Sequence, residues 1–523
     1  MARINSNIPS LIAQQNLRQA NENLGLRLER LSTGLRINKG ADDPAGLIIS
    51  ERLRSEIEGI EQGIKNTERA SNVIATTEGS LAEVSDLLNS IKALVVEASN
   101  TGAFSLEEIR ANQRAIDSAI DSITRISNTS SFAGLKLLNG ELGYRLSGVD
   151  DSKILKTQIN GANFLQRTDI QVDVEVVGSA QQGQLFLRTD FSSNPPFAGT
   201  GTDGVLASTV TIEIAGPEGV DVLTFVSGQD VNDILTAINA RSTKTGIEAE
   251  LAGGDVSSGV RFFTSEFGAG ALASVKKLSG GEEWTTHRLP NDAPPSSLDW
   301  TDATTFTAAD SDNGKDVVAL VNGALATGNG LELSLRSSDL DVEFLLEETF
   351  ATTVSTANAE TFHITGGGAL YQIGPNVEPA TEINLGIQSI AASRIGGTLL
   401  TNALGANEVQ FLSSLRTGEY NSLESSRNRQ SFTGASKILD QAIDEIATLR
   451  GRLGAFERNT LQTNARSLQA GLENLTAAES TIRDADFARE TSELTRAQVL
   501  TSSSTTVLAT ANAQAQNVLQ LLG

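Results

Sequence analysis

The chain has no cysteine, two histidines, one methionine and only 4% aromatic residues among 523. Without cysteine it can form neither a disulfide nor a thiolate metal site, so its stability must come from packing, assembly or both. With so few aromatics, packing falls to Leu, Ile, Val and Ala, which suits helix-on-helix contact better than a sculpted small-molecule pocket. Basic clusters are also missing: the net charge is −24 and no run of Lys or Arg appears, which argues against a nucleic-acid surface. No segment approaches the roughly 20 apolar residues needed to span a bilayer. Residues 1–16 lack the basic region and apolar core of a cleavable signal peptide, so export is expected to follow another route.

Catalytic constellations are equally scarce. His287 and His363 lie far apart in sequence, and neither sits in an H-E-x-x-H pattern. A zinc site or a Ser-His-Asp triad would have to use one of them, and both read as ordinary surface residues. Gly268-Ala-Gly270-Ala-Leu-Ala273 matches a loose G-x-G-x-x-A but lacks the surrounding βαβ unit and acidic residue, so it reads as chance. The dispersed carboxylates suit a solvated face better than a paired-carboxylate site. The expectation is a non-enzyme with no cofactor and no metal.

What is present falls into three regimes, and at 523 residues several domains are expected. From Ser10 to about Ile126, and again from about Gly434 to Gly523, the sequence reads as helix. Between about Gly140 and Gly368 it turns to Gly, Thr, Ser, Val and Asp. Ends written in one style suggest termini that belong together.

The first helix carries Leu17, Leu24, Leu28, Leu31 and Leu35 as an a/d seam, with Ser10 as its expected cap and Gly34 as its stop. A second is expected from Asp43-Pro44, with the stripe Leu53, Ile57, Ile60, Ile64, Ile74, Leu81, Val84, Leu88, Ile91 and Val95. Its length, roughly 60 Å at 1.5 Å per residue, points to a rod. A third stripe runs from Leu106 to Ile126. Near the other end, Leu461, Leu468, Leu475 and Ile482 are spaced by sevens after Ile446, Leu449, Leu453 and Phe456. The last seam is softer and rich in Ala, Ser and Thr, with Leu494, Leu500, Val507, Leu508, Ala511, Ala515, Val518, Leu519 and Leu522.

The middle alternates as strands at Ile170–Val177 and Val210–Ile214. Between Asp221 and Leu278 the order strand, short helix, strand, strand predicts a small α+β module. Both ends of the region fall within what reads as one β-hairpin, so about 141–368 is read as an insertion.

The two ends carry a family resemblance. Ile4-Asn-Ser-Asn-Ile8, Arg30-Leu-Ser-Thr-Gly-Leu-Arg-Ile37, Asn38-Lys-Gly-Ala-Asp-Asp-Pro-Ala-Gly46 and Asn128-Thr-Ser-Ser-Phe-Ala-Gly-Leu-Lys-Leu-Leu-Asn139 resemble the N-terminal signature of bacterial flagellin. Ile482-Arg-Asp-Ala-Asp-Phe487, Thr495-Arg-Ala-Gln-Val-Leu500 and Gln516-Asn-Val-Leu519 resemble its C-terminal one. Tyr371-Gln-Ile-Gly-Pro-Asn376 is similar to the hairpin segment that in shorter flagellins follows the Leu-Leu-Asn-Gly turn. Residues 221–278 look like the insertion module shared by flagellins and hook-associated proteins.

The resemblance implies a multidomain chain with a long α-helical coiled-coil rod formed by paired termini, plus an inserted β-rich (α+β) outer domain. Residues 1–42 would pair with 484–523 as the inner coiled coil, 43–140 with 369–483 as the surrounding helical rod with its β-hairpin, and 141–368 would face outward. Inner-core packing would use Leu17, Leu24, Leu28, Leu31, Leu494, Leu500, Leu508, Leu519 and Leu522. Rod packing would use Ile57, Ile60, Ile64, Leu81, Leu88, Leu461, Leu468, Leu475 and Ile482.

The implied function is a self-assembling subunit of an extracellular filament used for swimming. The implied partners are further copies, the flagellar type III export apparatus, a cytoplasmic chaperone at the C-terminal helix, and the cap and hook-associated proteins. The alternatives are a hook-filament junction protein, or a flagellin whose insertion serves as an adhesin. In many flagellins the segment matching Leu88 to Val96 is read by an animal Toll-like receptor. Leu94 is kept here, whereas Ser90, Ala93 and Ala115 stand where responsive members carry Arg, Glu and Glu, which implies weak recognition.

Overall fold

A computed structural model describes residues 7–522 except 165–166, 188–195, 201–202, 255, 257–258, 281–283, 289–306, 338, 355–358 and 403–406. Its described helices are α1 (Ile8–Thr33), α2 (Pro44–Ser99), α3 (Leu106–Thr129), the short α4 (Val231–Asn239), α5 (Ser242–Thr245), α6 (Glu348–Thr352) and α7 (Leu423–Arg429), then α8 (Thr433–Phe456), α9 (Gln462–Arg483) and α10 (Phe487–Leu522). The stop at Gly34 is as the sequence reads: the residue is left-handed at φ 74° and its N–H donates to Arg30 O at 2.9 Å. Asp43 caps α2 by accepting from Gly46 N at 2.9 Å, with Pro44 as the first helical residue. The start of α1 differs from expectation. Asn7, not Ser10, is the cap, because the Asn7 Oδ1 takes the Ser10 amide at 3.1 Å and leaves the Ser10 hydroxyl for another helix.

The chain forms two compact units. A terminal unit comprises the described residues of Met1–Ser71, Gln372–Glu382 and Glu457–Gly523, and a central unit comprises those of Asn72–Tyr371 and Ile383–Phe456. The division falls inside α2 and at the end of α8, whereas the expected change of pairing lay at residues 42–43.

In the central unit, α2 and α8 run antiparallel, as the ion pairs Lys92–Asp440 and Glu78–Arg450 require. Ile74, Leu81, Val84, Leu88 and Ile91 of α2 are fully buried, as are Ile109, Ile116, Ile120 and Ile123 of α3. Ile438, Leu439, Ile446 and Leu453 supply the apolar side of α8. Each such side chain stabilises the fold by about 1.5–3 kcal/mol. A Ser105–Glu108 capping box starts α3. After α3, Ala133 (φ 50°) and Gly134 (φ 89°) make the left-handed turn that pairs Ser131–Phe132 with Leu135–Lys136.

The β-rich part of this unit has two cores. In the first, the sheet ordered 324–325, 318–321, 170–178, 360–367, 144–147 shares one interior with the sheet 327–329, 332–336, 340–346, 154–162. Val172, Val174, Val321, Leu333, Val342, Phe344 and Phe362 fill it. In the second, α4 packs with the sheet 219–225, 210–216, 272–280, 311–313 and the sheet 247–251, 260–267, 182–187, 286–288, 307–308. The expected 221–278 module is therefore not self-contained. Its strands divide between two sheets, and Gln182–Leu187 and Val210–Gly216 complete them. At the ends of the expected insertion, Tyr144–Ser147 pairs with Glu360–Gly367 and Gly368 N donates to Gly143 O at 3.2 Å, while the Tyr371 segment pairs with Glu382–Leu385.

Candidate assembly surface

In the terminal unit, α1 and α10 lie antiparallel. Asn7 Nδ2 donates to Ala511 O at 3.1 Å, and the Ser10 hydroxyl donates to Asn512 Oδ1 at 2.7 Å. Twenty residues along α1, Arg27 Nη1 holds both oxygens of Glu490 at 3.0 and 2.9 Å, joined by Arg30 at 3.3 Å. Burial pushes the Glu490 carboxyl up. The hydrogen bonds and charges of Arg27 and then Arg30 outweigh that and leave it below the ordinary glutamate value. Asp486 starts α10 by accepting from Ala488 N and Arg489 N at 3.0 and 3.2 Å.

The pair is pinned at its closed end by a short antiparallel bridge. Arg36 N donates to Arg483 O at 2.6 Å and Ala485 N to Gly34 O at 2.9 Å. The Asn38–Gly46 motif then folds tightly, with Asp42 Oδ2 accepting from Asn38 N and Lys39 N at 3.0 and 2.9 Å. These backbone hydrogen bonds hold the Asp42 carboxyl below its ordinary value. Ile37 is buried here, and a Cβ on Gly46 would lie 2.7 Å from its Cδ1 and 2.5 Å from Asp43 Oδ2, so a larger residue would have to displace both side chains. Further along α2, a Cβ on Gly59 would lie 2.8 Å from Pro375 O, and Asn464 of α9 donates to Ile373 O at 2.8 Å.

The residues that meet between α1 and α10 are small or polar. Ser10, Ala13 and Ala20 are buried on α1, and Glu490, Ala497 and Ala511 on α10. The expected leucines sit at the margin of this seam. Leu17, Leu24, Leu31, Leu494 and Leu508 are half-buried, and Leu28 and Leu500 are exposed. The side chains of Leu519 and Leu522 lie outside the described residues. Leu11 (59% exposed), Ile12, Phe487, Val499 and Val507 add to the uncovered apolar surface. Sequence reasoning placed Ala511 in the seam but missed Ala13, Ala20 and Ala497, although Ala13 and Ala20 share the seven-residue spacing of the leucines.

Of the expected rod residues, Leu81 and Leu88 are completely buried, Ile60 and Leu461 are buried, and Ile57, Ile64, Leu468, Leu475 and Ile482 are half-buried. No residue of α9 is buried. On α2 and α3, Ser90 and Ala115 are exposed and Leu94 is half-buried. His363 lies on a strand with Nδ1 2.8 Å from Asp169, and His287 on a strand of the second β core. Of the Gly268–Ala273 motif, residues 268–271 link two strands and the rest begins the second, with no helix following. Among the described residues, no group of three or more His, Asp or Glu is placed to hold a metal ion.

Comparison with known proteins gives matches at both ends. Residues 4–142 match the bacterial flagellin N-terminal helical region, and residues 436–522 match the bacterial flagellin C-terminal helical region. Flagellin of Salmonella muenchen is 28% identical over 547 aligned positions, covering 99% of each chain. Flagellin B of Vibrio cholerae is 26% identical over 522, again covering 99% of each. The solved structure of FliC from Burkholderia pseudomallei is 14% identical and spans 76% of this chain and 99% of that one, with a TM-score of 0.22.

Proposed function

We infer that the chain belongs to the bacterial flagellins, and from that premise we propose that α1 and α10 lay the core of the extracellular filament that this subunit builds by self-assembly for swimming. The observation that carries this reading is a helix pair with its alanines inside and its larger aliphatics outside. Leu11, Ile12, Val499, Leu500 and Val507 are exposed on helices that already have a partner. An isolated pair gains little from burying alanine, so further copies are the natural cover for the larger side chains. In this reading residues 1–42 with 484–523 form the inner layer, 43–140 with 369–483 the rod around it, and 141–368 the outer face.

The chain works by packing and not by catalysis. Export through the type III apparatus in unfolded form suits a chain without cysteine, and a chaperone on α10 would cover the apolar residues that assembly later covers. The cap and hook-associated proteins are the expected neighbours at the filament ends. The end-to-end likeness to flagellins favours this reading over a junction protein, and abundance in sheared filaments separates the two.

Truncation of Phe487–Gly523 is expected to abolish reassembly in electron micrographs. Limited proteolysis of monomer should trim roughly the first and last 40 residues, while filaments protect them. Equal protection in the monomer would overturn the reading. Receptor activation by the purified protein is expected to be weak, since Ser90 and Ala115 present small side chains on the exposed faces of α2 and α3. A strong response in a Toll-like receptor reporter assay would refute that.

A further inference from the structure

Helix α8 has two unlike sides. At about 100° per residue, its apolar residues Ala435, Ile438, Leu439, Ala442, Ile446 and Leu453 cluster on one side, and Lys437, Glu445 and Arg452 fall within about 80° of each other on another. All three polar residues reach the insertion. Lys437 Nζ sits 2.8 Å from Glu218 Oε1, in the turn between two strands of the second β core, and also pairs with Glu266 on a neighbouring sheet. Glu445 pairs with Lys156 on the strand Ile154–Ala162, with both side chains largely buried. Arg452 donates to Asn160 Oδ1 at 2.6 Å and to Asn160 O at 2.9 Å. Asn160 is itself buried, and its Nδ2 donates to Glu343 at 3.2 Å and Asp341 at 3.4 Å. Leu399 and Val409 also pack at the edge of the first β core, and Gly386 N donates to Asn160 O at 3.2 Å.

We propose that this polar stripe of α8 is a latch that sets the orientation of the insertion on the helical part of the central unit, and that Lys437, Glu445 and Arg452 are its positioning residues. The chain crosses into the insertion only at the paired strands Tyr144–Ser147 and Glu360–Gly367, and a two-strand tether leaves bending and twisting free. Three charged contacts at intervals of eight and seven residues remove that freedom, because Glu445 and Arg452 hold the strand Ile154–Ala162 at two points while Lys437 holds the turn at Glu218 against the same helix. Burial pulls the Lys437 ammonium down, and the two carboxylates beside it outweigh that, so the contact stays ionised. Charged pairs are directional and fail when one partner is reversed, whereas apolar contact tolerates sliding.

The test uses the full-length chain, whose lack of cysteine allows two labels to be placed without removing any native thiol. Spin labels at Ser90→Cys on α2 and Val222→Cys on the insertion, both exposed positions, report their separation by pulsed electron paramagnetic resonance. The parent should give one narrow distance distribution, and Lys437→Glu with Arg452→Ala should about double its width while the helical circular dichroism is kept. Adding Glu218→Lys and Glu266→Lys to Lys437→Glu should narrow it again, which a merely destabilised fold would not do. If the double variant does not fold, the charge-swapped triple variant against Lys437→Glu alone decides. A distribution that stays narrow after charge reversal, or one not narrowed by the swap, overturns the proposal.

Discussion

The α1–α10 pair of the terminal unit and the helices of the central unit are built from similar sequence, yet they bury different things. In the central unit the periodic residues themselves are inside: Leu81, Leu88, Ile116 and Ile120 have no exposed surface. In the α1–α10 pair the periodic leucines stand at the edge, Leu500 is 52% exposed, and alanines occupy the seam. The first arrangement is complete within one chain. The second has spent its small residues on bringing two helices close and keeps its large ones for other surfaces. Heptad spacing alone therefore does not tell which molecule a leucine will meet.

The comparison can be broken most directly at Leu81. Leu81→Ala should destabilise the monomer by about 2–5 kcal/mol, since a fully buried leucine leaves a cavity. Thermal or urea unfolding of the central unit would measure it. A loss below about 1 kcal/mol would mean that this core collapses easily, and the contrast between the units would fade.

Glu490→Gln should have a middle effect. Removing the charge held by Arg27 and Arg30 is expected to cost about 1–3 kcal/mol in the α1–α10 pairing, read as faster hydrogen exchange along α1. The same contact gives a pH signature. The folded carboxyl lies below its unfolded value, so its contribution is complete above about pH 4.3 and is lost as pH falls through the folded value. The variant should show less acid loosening than the parent in that window. Equal acid sensitivity in both would remove Glu490 from the account.

Leu500→Ala should do least to the monomer, changing its stability by less than about 0.5 kcal/mol. It should nevertheless raise the critical concentration for polymerisation by about tenfold, the equivalent of burying one aliphatic side chain in the polymer. Sedimentation of assembled material at several protein concentrations would show this. A normal critical concentration would place Leu500 outside any contact between copies.

Much of the helical plan was legible because its signals are local. Asp43-Pro44 and Gly34 act through the hydrogen-bonding of one turn, and the apolar period of α3 needs only its own residues. Where two helices meet by hydrogen bonds, local reading failed: Ser10 was expected as a cap, but its hydroxyl serves Asn512, 502 residues away. The π-turn Glu457–Leu461 between α8 and α9 was also missed. Its trace is visible in retrospect as the step of five from Phe456 to Leu461 in a series otherwise spaced by three, four or seven, since one extra residue in a helical turn shifts the seam. The pairing of Gln182–Leu187 with Val260–Phe267 had no such trace. A period of two marks a strand and its inward face but not its partner.

The point at which the chain leaves the helical framework and returns to it has a practical meaning. Tyr144 and Gly367 are direct neighbours in one antiparallel ladder, so the more than 220 residues between them begin and end about 5 Å apart. That makes the crossing a splice site. A foreign domain whose own ends lie one rung apart can be exchanged there, or a tight turn can close it, without altering the route of the helices on either side.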